Sequence, residues 1–130
     1  MMEIAALLAT ALLFGGMVLY SFGFAAFVFS ALPAEVAGPT IRRAFPHFYV
    51  FVMAASALGA LLLVPTDTTA AIMLGLVALT TAPTRQVLMP AINAATDAGE
   101  KRRFQILHTV SVLVTLAHIV VAAYVLVRFL

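Results

Sequence analysis

Residues 4–32 form one apolar run whose only polar side chains are Thr10, Tyr20, Ser21 and Ser30. A run of that kind has few ways to fold. Hydrocarbon offers no partner to backbone N–H and C=O groups, so the segment must close its own hydrogen bonds as a helix. At 1.5 Å per residue it is about 43 Å long, against a hydrocarbon core of roughly 30 Å, and is expected to tilt or protrude. A secretory signal has a basic leading segment and an apolar core of about 7–15 residues. Here the only early charged side chain is Glu3, so the run reads as a retained helix.

Composition extends the argument to the whole chain. Of its 130 residues 65% are hydrophobic and 9% charged, and the mean hydropathy is +1.16. Soluble domains carry about 25% charged residues, so this balance is that of a bilayer protein. The formal charge of +2 is too small for a nucleic-acid partner. With no cysteine, disulfides, thiolate metal sites, cysteine nucleophiles and covalent haem attachment are excluded.

Three further spans come after it. A loop is expected over 33–44, then a second helix over 46–64, with Pro46 in its first turn and Pro65 ending it. Thr66, Asp67 and Thr68 make a short turn to a third helix over 69–89, with Asp67 or Thr68 as its N-cap. The third span is the least apolar: Thr80, Thr81, Pro83, Thr84, Arg85 and Gln86 interrupt it. Pro83 is expected to kink it, with Thr80 and Thr84 supplying the freed carbonyls. A polar connection over 91–103 leads to the fourth span over 104–127. The expected fold class is all-α, an integral-membrane four-helix bundle of up-down-up-down order, a single transmembrane domain over 1–130. Arg42, Arg43, Arg85, Lys101, Arg102 and Arg103 fall at one end and Arg128 alone at the other. The positive-inside rule then predicts both termini outside, in a bacterial cytoplasmic (inner) membrane.

The fourth span carries His108, Ser111, Thr115 and His118 within one stripe about 80° wide, which should look into the bundle because lipid would penalise it. The stripe can be a proton, metal or haem site. The commoner reading of such a stripe is interhelical hydrogen bonding, which contributes about 0.6–2 kcal/mol per contact. His108 and His118 stand about 15 Å apart along the axis and cannot share one metal. A ligand site therefore needs a partner from another helix: His47, at similar depth to His108, or Tyr20, Tyr49, or a methionine such as Met17, Met53 or Met89. Arg85 either snorkels to the interface, the favoured reading, or turns inward to bind an anionic group beside Thr81 and Thr84. On the first helix Gly16, Tyr20, Gly23, Phe27 and Ser30 share a face that admits a close neighbour. Phe22, Phe24, Phe27 and Phe29 crowd its basic half, as interfacial aromatics do. There is no nucleophile elbow, phosphate loop or His-Glu-x-x-His pattern. Glu35, Asp97 and Glu100 read as solvated loop charges.

Several short stretches together resemble the transmembrane-protein-205-like family (domain of unknown function 4149). They are Gly16 with Leu32-Pro33 and Ala37-Gly38, Phe45-Pro46 with Tyr49, the segment from Pro90 to Asn93, and Phe104 with His108 and Ser111. The resemblance implies a compact four-helix membrane protein without an established activity. Its vertebrate relatives are associated with resistance to platinum drugs, a hint of metal or vesicle handling. It also implies a shared cluster that includes Tyr49, Asn93, His108 and Ser111 at the basic end. The family leads us to expect an asparagine about two turns after His108, where this chain has Thr115.

The function expected from the sequence is a non-enzymatic, transport-related or accessory component, in contact with lipid and possible protein partners or further copies of itself. The rival is a redox protein binding haem b or a metal ion through His108.

Overall fold

The computed structural model describes Met1–Leu130 as four long helices without a strand. They are α1 (Met2–Ala31), α2 (Ala34–Leu63), α3 (Thr68–Asp97) and α4 (Lys101–Val127). All four are long and apolar enough to cross a membrane, as an integral membrane protein requires. The connections are short, so consecutive helices run antiparallel in up-down-up-down order. One end of the bundle carries both termini and residues 64–67; the other, the basic end, carries residues 32–33 and 98–100.

The connections explain why the helices outrun the apolar stretches. Pro33 forces Leu32 out of the helical region, and Leu32 is extended at φ −110° and ψ 149°. The Pro33 carbonyl accepts from the amides of Val36 and Ala37, and Glu35 sits in the first turn, where the helix dipole favours a carboxylate. So α2 starts at Ala34, and the loop expected over 33–44 is helix, with Pro39 and Pro46 inside it. At the other connection Gly99 has φ +68°. Its amide donates to Thr96 O at 3.1 Å and that of Glu100 to Ala95 O at 3.0 Å, a Schellman closure. The connection expected over 91–103 shrinks to residues 98–100, because this cap lets α3 continue to Asp97. Of the two N-cap candidates for α3 the structure uses Asp67, which accepts from the Ala70 amide at 3.0 Å.

The packed core lies toward the end bearing the termini. Leu13 and Met17 of α1, Val52 and Leu63 of α2, Leu74 and Val77 of α3, and Ala122 and Val125 of α4 are buried there. Thr10, Ser56 and Thr81 are buried among them, each donating to the carbonyl four residues back. Two close contacts need glycine. A Cβ on Gly59 would stand 2.8 Å from Leu74 Cδ1, and one on Gly16 2.6 Å from the Phe51 ring.

The basic half is looser. Two π-helical turns interrupt the helices there, Leu19–Phe24 in α1 and Thr84–Leu88 in α3. A π-turn inserts a residue and rotates the faces of the helix beyond it. This splits the face expected on α1: Tyr20 packs toward α2, while Gly23, Phe27 and Ser30 are exposed. The α3 turn lies between Pro83 and Pro90, two residues without an N–H to donate. Thr80 and Thr84 donate to Leu76 O and Thr80 O, so the carbonyls they satisfy are not the Leu79 carbonyl that Pro83 strands. Close packing of α1 on α4 is confined to Met2–Val18, and beyond it the neighbour of α1 is α2. The two helices part toward the basic end.

Candidate functional site

The parting of α1 and α4 opens a crevice of about 760 Å³, within the range of small-molecule sites. Its α1 wall is Ser21, Phe22, Ala25 and Phe29. Phe104, His108, Ser111, Val112 and Thr115 of α4 face them. The back is closed by Phe45 and Tyr49 of α2 and by Ile92 and Asn93 of α3. Arg42, Arg43 and Asp97 stand at the basic mouth. From Phe104 to Thr115 on the α4 wall the helical rise gives a depth of about 16–17 Å.

Each wall is held by identifiable contacts. The Tyr20 hydroxyl donates to the Ala44 carbonyl at 2.9 Å. The Tyr20 ring stacks on Phe48 at 5.0 Å and meets Phe45 edge-on at 5.6 Å. This cluster fixes α1 against α2 just where α1 leaves α4. Across the mouth the Arg42 guanidinium donates to Asp97 Oδ1 at 2.8 Å and to the Asn93 carbonyl at 3.2 Å, tying α2 to α3. Both side chains are substantially exposed, so the pair contributes at most about 1 kcal/mol and serves mainly to set the spacing. His108 stacks on Phe104 at 5.3 Å with the rings nearly parallel, which holds the imidazole along the α4 wall. Ser111, one turn deeper, is buried and donates to the His108 carbonyl at 2.7 Å. The Ser21 hydroxyl is buried at the crevice wall and has no hydrogen-bond partner.

Of the residues singled out from sequence, Tyr49, Asn93, His108, Ser111 and Thr115 line this one crevice, and His118, Arg85 and His47 do not. His118 Nε2 pairs with the Thr80 hydroxyl of α3 at 2.8 Å. The four-residue stripe therefore serves two neighbours: three members face the crevice and the fourth bridges α4 to α3. Arg85 donates to the Pro46 carbonyl at 3.2 Å and to Gln86 Oε1 at 3.1 Å, so it anchors α3 to α2. His47 is exposed outside the crevice and does not join His108 on its wall. No three His, Asp or Glu side chains gather where a metal could be held.

Arg42 and Asp97 are site residues that sequence reasoning left as loop charges. Asp67 and Arg128 make a second pairing at the opposite end, with Arg128 Nε 2.7 Å from Asp67 Oδ2 and its Nη2 2.9 Å from Oδ1. The Arg128 hydrogen bonds first, and the Ala70 amide next, hold the Asp67 carboxyl below the ordinary carboxylate range. That clasp binds the end of α4 to the α2–α3 turn, at the end where α1 and α4 stay together.

No curated protein and no solved structure matches this chain. A family model, described as Domain of unknown function (DUF4149), matches residues 8–101. The match takes in three of the crevice's four helices and stops at the first residue of α4, so Phe104, His108 and Ser111 lie beyond it. Because the match covers well over half of the sequence, the chain belongs to the DUF4149 family.

Proposed function

We propose that this protein is a non-enzymatic, transport-related component that receives an amphiphilic molecule from the bilayer in the crevice between α1 and α4. It does so by itself or as an accessory part of a larger membrane complex. The observation that carries this reading is the separation of α1 from α4 along the basic half, with exposed Phe22, Phe29 and Val112 on the lips and polar groups inside. A slot of that kind, open sideways, admits a molecule that never leaves the membrane. The basic end faces the cytoplasm and both termini lie outside in this reading, on the strength of the six-to-one distribution of basic residues. The bacterial inner membrane is the proposed location.

The test is native mass spectrometry of protein taken from membranes into mild detergent. A co-purifying amphiphile is expected, and Ala25→Trp, which fills the crevice, is expected to lose it. Leu61→Trp, on an exposed face elsewhere, is expected to keep it. Equal retention by both variants, or no bound molecule in the parent protein, overturns the reading. A Soret band in the purified protein would instead favour haem ligated by His108, the one imidazole on the crevice wall.

A further inference from the structure

The crevice is charged at its mouth and apolar along its lips, and that polarity narrows the occupant. Its mouth carries two guanidinium groups, Arg42 and Arg43, against the single carboxylate of Asp97. The Arg42 fork is committed to Asp97 and the Asn93 carbonyl. Arg43 is exposed at the same mouth, forms no ion pair and makes no hydrogen bond through its side chain. A free guanidinium beside an internally neutralised pair leaves the mouth with one positive charge. Topology alone asks only for basic residues at this end; Lys101 and Arg102 meet that need without lining the crevice.

Depth supplies a second constraint. Half of a bilayer's hydrocarbon core is about 15 Å thick, and the α4 lining of the crevice runs about 16–17 Å from Phe104 to Thr115. It is one leaflet deep. The Tyr20–Ala44 hydrogen bond sets Ser21 and Arg43, each one residue nearer the basic end, at about the same backbone level, and the Arg43 side chain tilts from there toward its helix N-terminus at the basic end. There the Ser21 hydroxyl is buried without a partner, a state proteins avoid unless something else supplies the bond. A lipid whose phosphate meets Arg43 brings its ester oxygens to about this depth.

Resting on the reading of the crevice as an amphiphile site, we propose that its occupant is an anionic phospholipid. The phosphate pairs with Arg43, an ester group accepts from Ser21, and an acyl chain lies along Phe22 and Val112 toward the bilayer.

The test offers the full-length protein in micelles an equimolar mixture of dioleoyl phosphatidylglycerol and dioleoyl phosphatidylcholine, and counts retained lipid by native mass spectrometry. Retention of the anionic lipid is expected to exceed that of the zwitterionic one by about tenfold, the scale of one charge-assisted hydrogen bond. Arg43→Gln is expected to bring the two near parity. Ser21→Ala is expected to weaken both lipids alike. Arg102→Gln removes the same charge from the same end outside the crevice and is expected to change neither. If Arg102→Gln acts as Arg43→Gln does, bulk charge explains the preference and the proposal fails. If the two lipids are retained equally, anionic selection fails while the amphiphile site stands. If neither is retained, both readings fall. Displacement of the lipid by excess inorganic phosphate marks a site for free anions and overturns the lipid assignment.

Discussion

Replacing Gly59 by alanine puts a methyl group 2.8 Å from Leu74 Cδ1 and 3.6 Å from Thr10 Oγ1, at a point where α1, α2 and α3 meet. Optimal carbon contacts are about 3.5–4.0 Å, so Leu74 must retreat by roughly 0.7–1.2 Å. Leu74 is 0% exposed and has nowhere free to go. Overpacking of this kind costs about 1–3 kcal/mol, and the better helix propensity of alanine returns up to about 1 kcal/mol. The expected net loss is about 0–3 kcal/mol. Gly75→Ala is the matched control, since a Cβ there meets nothing within 4 Å and it keeps the propensity gain alone. The difference between the two variants isolates the packing cost, about 1–3 kcal/mol. Unfolding in mixed detergent–SDS micelles, followed by circular dichroism, measures both. Leu74→Ala should lose about 2–5 kcal/mol alone. Combined with Gly59→Ala it should lose less than the sum, because the new methyl enters vacated space. Gly59→Ala as stable as Gly75→Ala would refute the close approach. Gly59 is remote from the crevice, so its folded variant should retain lipid as the parent does.

Acid should loosen the clasp at the end bearing the termini. The Asp67 carboxyl is held low by Arg128, so the folded state binds fewer protons than the unfolded chain. The pair's contribution is therefore full above about pH 4 and is lost as pH falls through the lowered folded-state value. Asp67→Asn should remove that part of the acid dependence of the unfolding midpoint; parallel profiles would refute it. His108→Ala should reduce lipid retention more than His118→Ala, since only the first lines the crevice; the reverse order would move the site to the α3–α4 contact. A cysteine at Gly99 should label from the cytoplasmic side and a reporter fused after Leu130 should behave as external, and the opposite pattern would invert the proposed orientation.

The spans, their order and the short α2–α3 turn were legible in the sequence because they depend on local composition. Lipid penalises every unpaired backbone group, so an apolar run of spanning length must be helical whatever its neighbours are. Pro33 as a break, and Asp67 or Thr68 as the N-cap of α3, are local for the same reason. Hydropathy misjudged the helix ends, since it registers where lipid stops and not where hydrogen bonding stops. Gly99 was a readable stop signal for α3, just ahead of the basic cluster Lys101-Arg102-Arg103, and the expected connection over 91–103 overlooked it.

What only the tertiary structure decided is how the faces are shared out. Arg42 finds Asp97 across 55 residues of chain and Arg128 finds Asp67 across 61, and no spacing rule links residues so far apart. The π-turn at Leu19–Phe24 has no signature in residue type, yet it turns Tyr20 toward α2 and leaves Gly23 and Phe27 exposed. Periodicity placed His108, Ser111, Thr115 and His118 on one face of α4, but a helix face can meet two neighbours. The departure of α1 leaves the first three beside an open crevice, and the approach of α3 gives His118 to Thr80. A helix's own sequence determines which residues point together; where its neighbours diverge determines which of them meet protein and which meet space.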